Sequence, residues 1–323
     1  MMIYTKSAKG LTRTPFSEAV VFSADVVWLD ILNLTPVEEK RVEEFLQLNI
    51  PSREEMHEIE LSNRLYQENN AVYMTAALLT NVDTATPETH SITFILKADC
   101  LITLRYSDPS SFRVFGARAE KYLPTEQSGK VLFAGLVESI IERIADILER
   151  SGKNIDAMAN KIFRQKTTAQ KEKVNYQEIL EKIGYDGDLI SKTTESLLTL
   201  HRMVGYALQS PVAGIQGEAR ILLDTLARDI IALTEHASFL SNKISFLLDA
   251  TLGMINIEQN NIIKMFSVAA VVFLPPTLIA SVYGMNFEQM PELKWQFGYP
   301  FAVILMGLSA LLPYLYAKKR KWL

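Results

Sequence analysis

Oxygen-bearing side chains recur along one line near the C-terminal end of this 323-residue chain. Taken at alternating steps of four and three, the line runs Asp249, Gly253, Asn256, Asn260, Ile263, Ser267, Ala270, Leu274, Thr277 and Ser281, and it arrives near Asn286. The repeat is about 3.5 residues, the seam period of a left-handed supercoil. Its groups are small, hydroxylated, amide or weakly apolar, while the bulkier Phe266, Val272 and Phe273 lie beside it. Lipid would favour the bulk, so the stripe should face protein or a water path. Soft ligands are missing, because His57, His90, His201, His236 and Cys100 all fall outside this region. What remains is amide, hydroxyl and backbone oxygen with carboxylates at the two ends, a set suited to a hard divalent cation. Magnesium sheds its water reluctantly, so neutral carbonyl oxygens such as that of Asn286 can select the hydrated ion through its first-shell water. Glu288 and Glu292 beyond it would attract cations; an ordinary solvated loop charge is the other reading of each.

Two apolar spans carry this line. They cover about 262–283 and 299–316, each near the roughly 20 residues that cross a hydrocarbon core as helix. The first holds one charge, Lys264, near enough its start to snorkel, and the second holds none. Tyr283, Trp295, Tyr299, Tyr314, Tyr316 and Trp322 sit at the span ends, where interfacial rings belong. Lys318-Lys319-Arg320-Lys321 follows the second span and places that end in the cytoplasm. The loop at 284–298 then lies outside, and two crossings return the large N-terminal part to the cytoplasm. No apolar stretch behind a basic start suggests a secretory signal. Pro275-Pro276 removes amide donors within the first span and frees the carbonyls of Val271 and Val272, either as a simple kink or to hydrate a permeating ion. Two spans cannot enclose a channel, so a pore needs several copies around one axis. A packing seam between helices would use the same small residues; continuation of the line into Asn260, Asn256 and Asp249 favours the pore.

Upstream, residues 1–130 read as a cytoplasmic α/β domain. Apolar, β-branched runs at 19–29, 71–79, 91–96 and 101–106 predict strands. Thr35-Pro36 before Glu38 and Glu39 predicts a helix start, and Ser52 with Glu55 resembles a capping box. From Val131 the apolar spacing turns to three and four, through Leu136, Ile140, Ile144 and Ile147, giving a helical region over 131–216. Within it, Gly184 and Asp186-Gly187 are expected to separate a helix at 175–183 from another at 189–208. After Gly217 no proline occurs until Pro275, so 217–283 reads as one helix, a stalk of order 100 Å continuous with the first span. The basic tail is 317–323.

A net charge of −4 argues against a general nucleic-acid binder. No glycine-rich nucleotide loop is visible, and none is needed. At ~2.3 kcal/mol per charge per 100 mV, a divalent cation entering a negative interior gains roughly 4.6 kcal/mol, a more than thousandfold gradient. A single cysteine fits a reducing compartment. These features predict a transporter rather than an enzyme, working without a cofactor.

Tyr283-Gly284-Met285-Asn286 and Met290-Pro291-Glu292-Leu293 are the residues through which the sequence resembles the CorA family of magnesium and cobalt transporters, in its bacterial branch. Phe273-Leu274-Pro275-Pro276-Thr277 and the basic tail extend the match, with weaker collinear agreement at Trp28-Leu29-Asp30 and Glu58-Ile59-Glu60. The resemblance implies a homopentamer in the bacterial inner membrane, with both termini cytoplasmic and a funnel-shaped cytoplasmic part. It implies a filter at Gly284, Met285 and Asn286, a lining of Asn260, Ile263, Leu274, Thr277 and Ser281, and Asp249 near the inner mouth, with Asn256 above it. It further implies closure by internal magnesium held between neighbouring subunits, for which Asp224 and Asp229 are candidates, though each also fits an ordinary charged helix position. Magnesium would then be both substrate and regulatory ligand, with cobalt and nickel as further cargo. A zinc-selective, proton-coupled relative replaces the methionine of the signature, and a membrane-tethered sensor or scaffold would need no pore.

Overall fold

The computed structural model describes residues 1–7, 10–17, 22–58, 60, 64–84, 86–120, 128–163, 175–285 and 290–320. Contacts divide the chain into two compact units, Met1–Leu248 and Asp249–Leu323. The first is built on a seven-stranded sheet: β1 (Met2–Ser7), β2 (Gly10–Pro15), β3 (Val26–Leu32), β4 (Leu65–Glu68), β5 (Ala71–Thr80), β6 (Glu88–Lys97) and β7 (Cys100–Arg105). The spatial order is β2-β1-β3-β7-β6-β5-β4. Only β3 and β7 pair in parallel, and the remaining neighbours are antiparallel.

The apolar runs mark the central strands because those strands are buried on both faces. β5 and β7 are buried at every position. The run at 19–29 is displaced: the strand begins at Val26, and residues 18–21 lie outside the described set. β1, β2 and β4 are edge or near-edge strands with exposed polar positions, and no long apolar run announces them.

Helices cover both faces of the sheet. On one side, α1 (Pro36–Leu46) and α2 (Arg53–His57) contribute Val42 and Met56 to a core with Leu29, Ile31, Ile102 and Tyr73. Both helices begin with complete capping boxes: Thr35 accepts from the amide of Glu38 while Glu38 accepts from that of Thr35, and Ser52 and Glu55 repeat the exchange. On the other side, α3 (Ser110–Ala119) and α4 (Gly129–Phe163) bring Phe115 to 5.5 Å from Trp28 and Phe133 to 5.9 Å from Phe94, between ring centroids. Cys100 is buried, and desolvation pushes its thiol up to about 12, so it is an inert hydrophobe.

Under this layer lies a closed polar network. Asp30 on β3 takes both Nε and Nη2 of Arg105 at 2.8 Å and the hydroxyl of Thr103 at 2.9 Å; Thr103 in turn accepts the indole N–H of Trp28 at 3.0 Å. Arg105 spends its remaining nitrogen on Asp108 at 2.6 Å. Every charge here is paired, which is the condition for burying it.

The expected break near Gly184 does not occur. Tyr176–Gln209 is one helix, α5, with Gly184, Asp186 and Gly187 inside it. Packing overrides local propensity at these positions. Ile183, Asp186, Leu189 and Ile190 around the two glycines are buried, while a Cβ on Gly187 would make only ordinary contact with the Cγ2 of Ile244, at 3.7 Å. Asp186 is buried, and the amide of Asn154 on α4 donates to its carboxyl at 3.4 Å. Burial, opposed by that bond, raises its pKa. The next helix, α6, runs without interruption from Gly217 to Tyr283. In the first unit it buries Leu223, Leu226, Ile230, Ala237, Leu240, Ile244 and Leu247, a narrow face at steps of three and four.

Candidate functional site: the membrane segment of α6

The second unit holds the end of α6, a 3-10 turn at Pro291–Lys294 and α7 (Gly298–Lys319). Both helices contain windows long and apolar enough to cross a membrane, and these windows are only 6% and 11% buried within the chain. A core helix of a water-soluble protein would be covered. Apolar surface left bare over this length calls for lipid and further protein. The aromatic rings at the start of α7 cluster, with Trp295 5.9 Å from Phe301 and 6.1 Å from Phe297.

Within this unit the buried side chains of α6 are Thr251, near the unit's start, and Val268, 7% exposed within the apolar span, and on α7 they are Ala302 and Ala317. Val268 lines a shared groove with Leu312, Pro313 and Ala317, so α7 lies on the Val268 side of α6. At ~100° per residue, Leu274 and Ser281 point roughly 120° to 140° away from Val268 around the helix. The stripe positions Asn256, Asn260, Ile263, Leu274, Thr277 and Ser281 are all exposed, with Ile263 at 61% and Leu274 at 65%. Ser267 is exposed as well, and it also lines the groove shared with α7.

Pro275 and Pro276 are accommodated inside the helix. Prolines at these positions cannot bond the carbonyls of Val271 and Val272. Thr277 turns its hydroxyl back onto the carbonyl of Phe273 at 2.8 Å, which spends the proton and leaves oxygen lone pairs outward. At its C-terminal end the helix closes tightly: the amide of Gly284 donates to Ala280 at 2.9 Å and that of Met285 to Val282 at 3.3 Å. A Cβ on Gly284 would meet the Ala280 carbonyl at 3.1 Å. Met285 is exposed. Asn286 and Glu288 lie outside the described residues, as does the side chain of Glu292. Asp249 is exposed. Asp224 stands 3.9 Å from Arg220, and Asp229 borders a groove with Glu138 and Glu142. Among the described residues no three histidine, cysteine or carboxylate side chains gather as a metal site within one protomer.

An α/β unit followed along one continuous helix by a two-helix hairpin with bare apolar faces defines an integral membrane protein. The family model described as CorA-like Mg2+ transporter protein matches residues 23–319, and the chain belongs to that family. The magnesium transport protein CorA of Wolinella succinogenes is 33% identical over 332 residues, covering 100% of both chains. That of Escherichia coli strain K12 is 34% identical over 313 residues, covering 97% of this chain and 96% of its own. Among solved structures, the complete CorA magnesium transporter from Methanocaldococcus jannaschii superimposes with a TM-score of 0.73 at 16% identity, covering 100% of this chain and 98% of that one.

Proposed function

We propose that this protein is a potential-driven influx channel for hydrated magnesium, formed by identical subunits, a pentamer by resemblance, in the bacterial inner membrane with both termini cytoplasmic. The observation that carries this reading is the exposed stripe of α6, set about a third of a turn from the side taken by α7. Copies arranged with these stripes inward give rings of Ser281, Thr277, Leu274, Ile263 and Asn260 along a common axis, ending inside at Asn256 and Asp249. Hydroxyl and amide rings hydrogen-bond to the water around the ion rather than replacing it, which suits magnesium. The Leu274 and Ile263 rings are apolar constrictions, where closure by dewetting is possible. Gly284, Met285 and Asn286 form the outer filter, Glu288 and Glu292 attract cations to it, and internal magnesium at acidic sites including Asp224 or Asp229 favours the closed state. Cobalt and nickel share the entry path.

Flux into proteoliposomes tests the assignment. Magnesium entry should follow an imposed inside-negative potential and should not require a proton gradient. Asn286→Ala should abolish selectivity while leaving the assembly intact. Zinc entry driven by a pH gradient, or no ion entry, would replace this reading with the zinc-selective or the scaffold one.

A further inference from the structure

α6 and α7 enclose between them a groove of about 410 Å³. Ser267, Val268 and Val271 form one wall; Leu312, Pro313, Tyr316 and Ala317 form the other. The volume falls in the range of small-molecule sites, and the lining is almost entirely hydrocarbon. Its mouth is different. Lys264 precedes Val268 by four residues and Val271 by seven, so it stands on the same face of α6, at the groove's end. Lys318, Lys319 and Arg320 follow Ala317 directly, and the guanidinium of Arg320 stands 5.7 Å from the Tyr316 ring. All four cations are exposed, and none forms an ion pair among the described residues.

We infer that this groove is a binding site for an anionic phospholipid, with an acyl chain between Val271 and Leu312 and the phosphate among Lys264, Lys319 and Arg320. The inference rests on the membrane placement of α6 and α7 and does not depend on which ion is carried. Charge selects the occupant. A neighbouring copy inserted here would bring its own four cations to the same mouth, whereas an anionic headgroup neutralises them. Basic residues at a membrane surface favour anionic lipid by about fivefold each. A zwitterionic lipid with the same chains would fill the groove without that gain.

The test uses the full chain reconstituted in vesicles containing equal phosphatidylglycerol and phosphatidylcholine with matched acyl chains. The protein is then extracted in mild detergent and the phospholipid retained per subunit is counted. Phosphatidylglycerol should be enriched. Lys264→Gln with Arg320→Gln should lower that enrichment by roughly 25-fold at most, the product of two fivefold factors, without changing oligomer size. Ala317→Trp, which fills the groove and keeps every charge, should release the retained lipid; Ala317→Leu is a milder intrusion if the tryptophan variant fails to assemble. Equal retention of the two lipids overturns the inference. So does enrichment that survives the filled groove, which would leave only the surface field of the basic tail. Dissociation of the oligomer by Ala317→Leu with lipid retention unchanged would assign the groove to a second copy instead. Each readout is independent of magnesium flux, so failure here and failure of the channel assignment are separable.

Discussion

Replacing Asp30 by alanine should be among the most damaging single changes in the first unit. Its carboxylate holds two bonds to Arg105 and one from Thr103, and the Asp30 and Arg105 side chains are 8% and 7% exposed. Removing one member of a buried pair typically costs about 3–5 kcal/mol, because the other is left charged and poorly solvated. Arg105 would keep Asp108, which is partly exposed, so the low end applies: about 3 kcal/mol. For a unit of this size, 1 kcal/mol shifts Tm by roughly 2–4 °C, which gives a fall of roughly 6–12 °C. Trp28 is the natural reporter, since it is fully buried and its indole N–H is tied into the network through Thr103. With Trp295 and Trp322 replaced by phenylalanine, thermal unfolding of the full chain in detergent can be followed through Trp28 emission alone.

A paired variant sharpens the test. Asp30→Leu with Arg105→Met removes both charges and fills the space with hydrocarbon, so most of the loss should be recovered. The residual cost, about 1 kcal/mol, comes from the Thr103 hydroxyl left without an acceptor. If Asp30→Ala moves Tm by less than 2 °C, or if the paired variant is as unstable as the single one, the network is not bearing on stability as argued.

Other perturbations have opposite signs. Asp186→Asn should stabilise the protein at neutral pH: the folded-state pKa of Asp186 is raised, so its ionised form carries a penalty above that pKa, and the penalty vanishes once the pH falls below the unfolded value. The gain over wild type should therefore shrink on acidification, which thermal unfolding at pH 7 and pH 4 would show. Gly184→Ala should add about 1 kcal/mol, because no atom lies within 4 Å of the new Cβ and alanine is the better helix former. Gly129→Ala should do the reverse, since its Cβ would fall 2.5 Å from the backbone nitrogen of Leu101. Glycine insertions near Ala250 should uncouple ion-dependent closure from flux if the continuous α6 transmits it, and unchanged closure in proteoliposomes would refute that role.

How much of this was legible in the chain depends on where each signal originates. The helix start at Thr35 and the capping box at Ser52 are local signals and are read directly, although the reciprocal bond between Thr35 and Glu38 goes beyond the start signal. The strands β5, β6 and β7 are equally plain because burial demands unbroken apolar runs, whereas the run expected at 19–29 starts too early for β3. The edge hairpin of β1 and β2 carries little apolar pattern, and its pairing from Met2↔Pro15 to Ser7↔Gly10 is a property of the sheet rather than of either segment. α3 is hidden for a related reason: no side chain caps its start, and it carries within it Gly116, whose Cβ would fall 2.8 Å from the Tyr4 hydroxyl. The same misdirection produced the expected break at Gly184 and Gly187, which is a turn signal only when packing does not compete.

The stripe of α6 differs from both cases. Its residue types are visible from spacing, yet spacing alone leaves a pore and a helix-packing seam equally supplied with small residues. Position relative to α7 bears only on a seam within the protomer. A seam within the protomer would have buried Leu274, Thr277 and Ser281 against α7, but all three are exposed and Val268 takes the contact instead. Any partner for the stripe must therefore come from another copy, from lipid or from water. Thr277 favours water, because its proton is already committed to the Phe273 carbonyl and its outward lone pairs can only accept. An acceptor ring suits water molecules whose own oxygens face a cation.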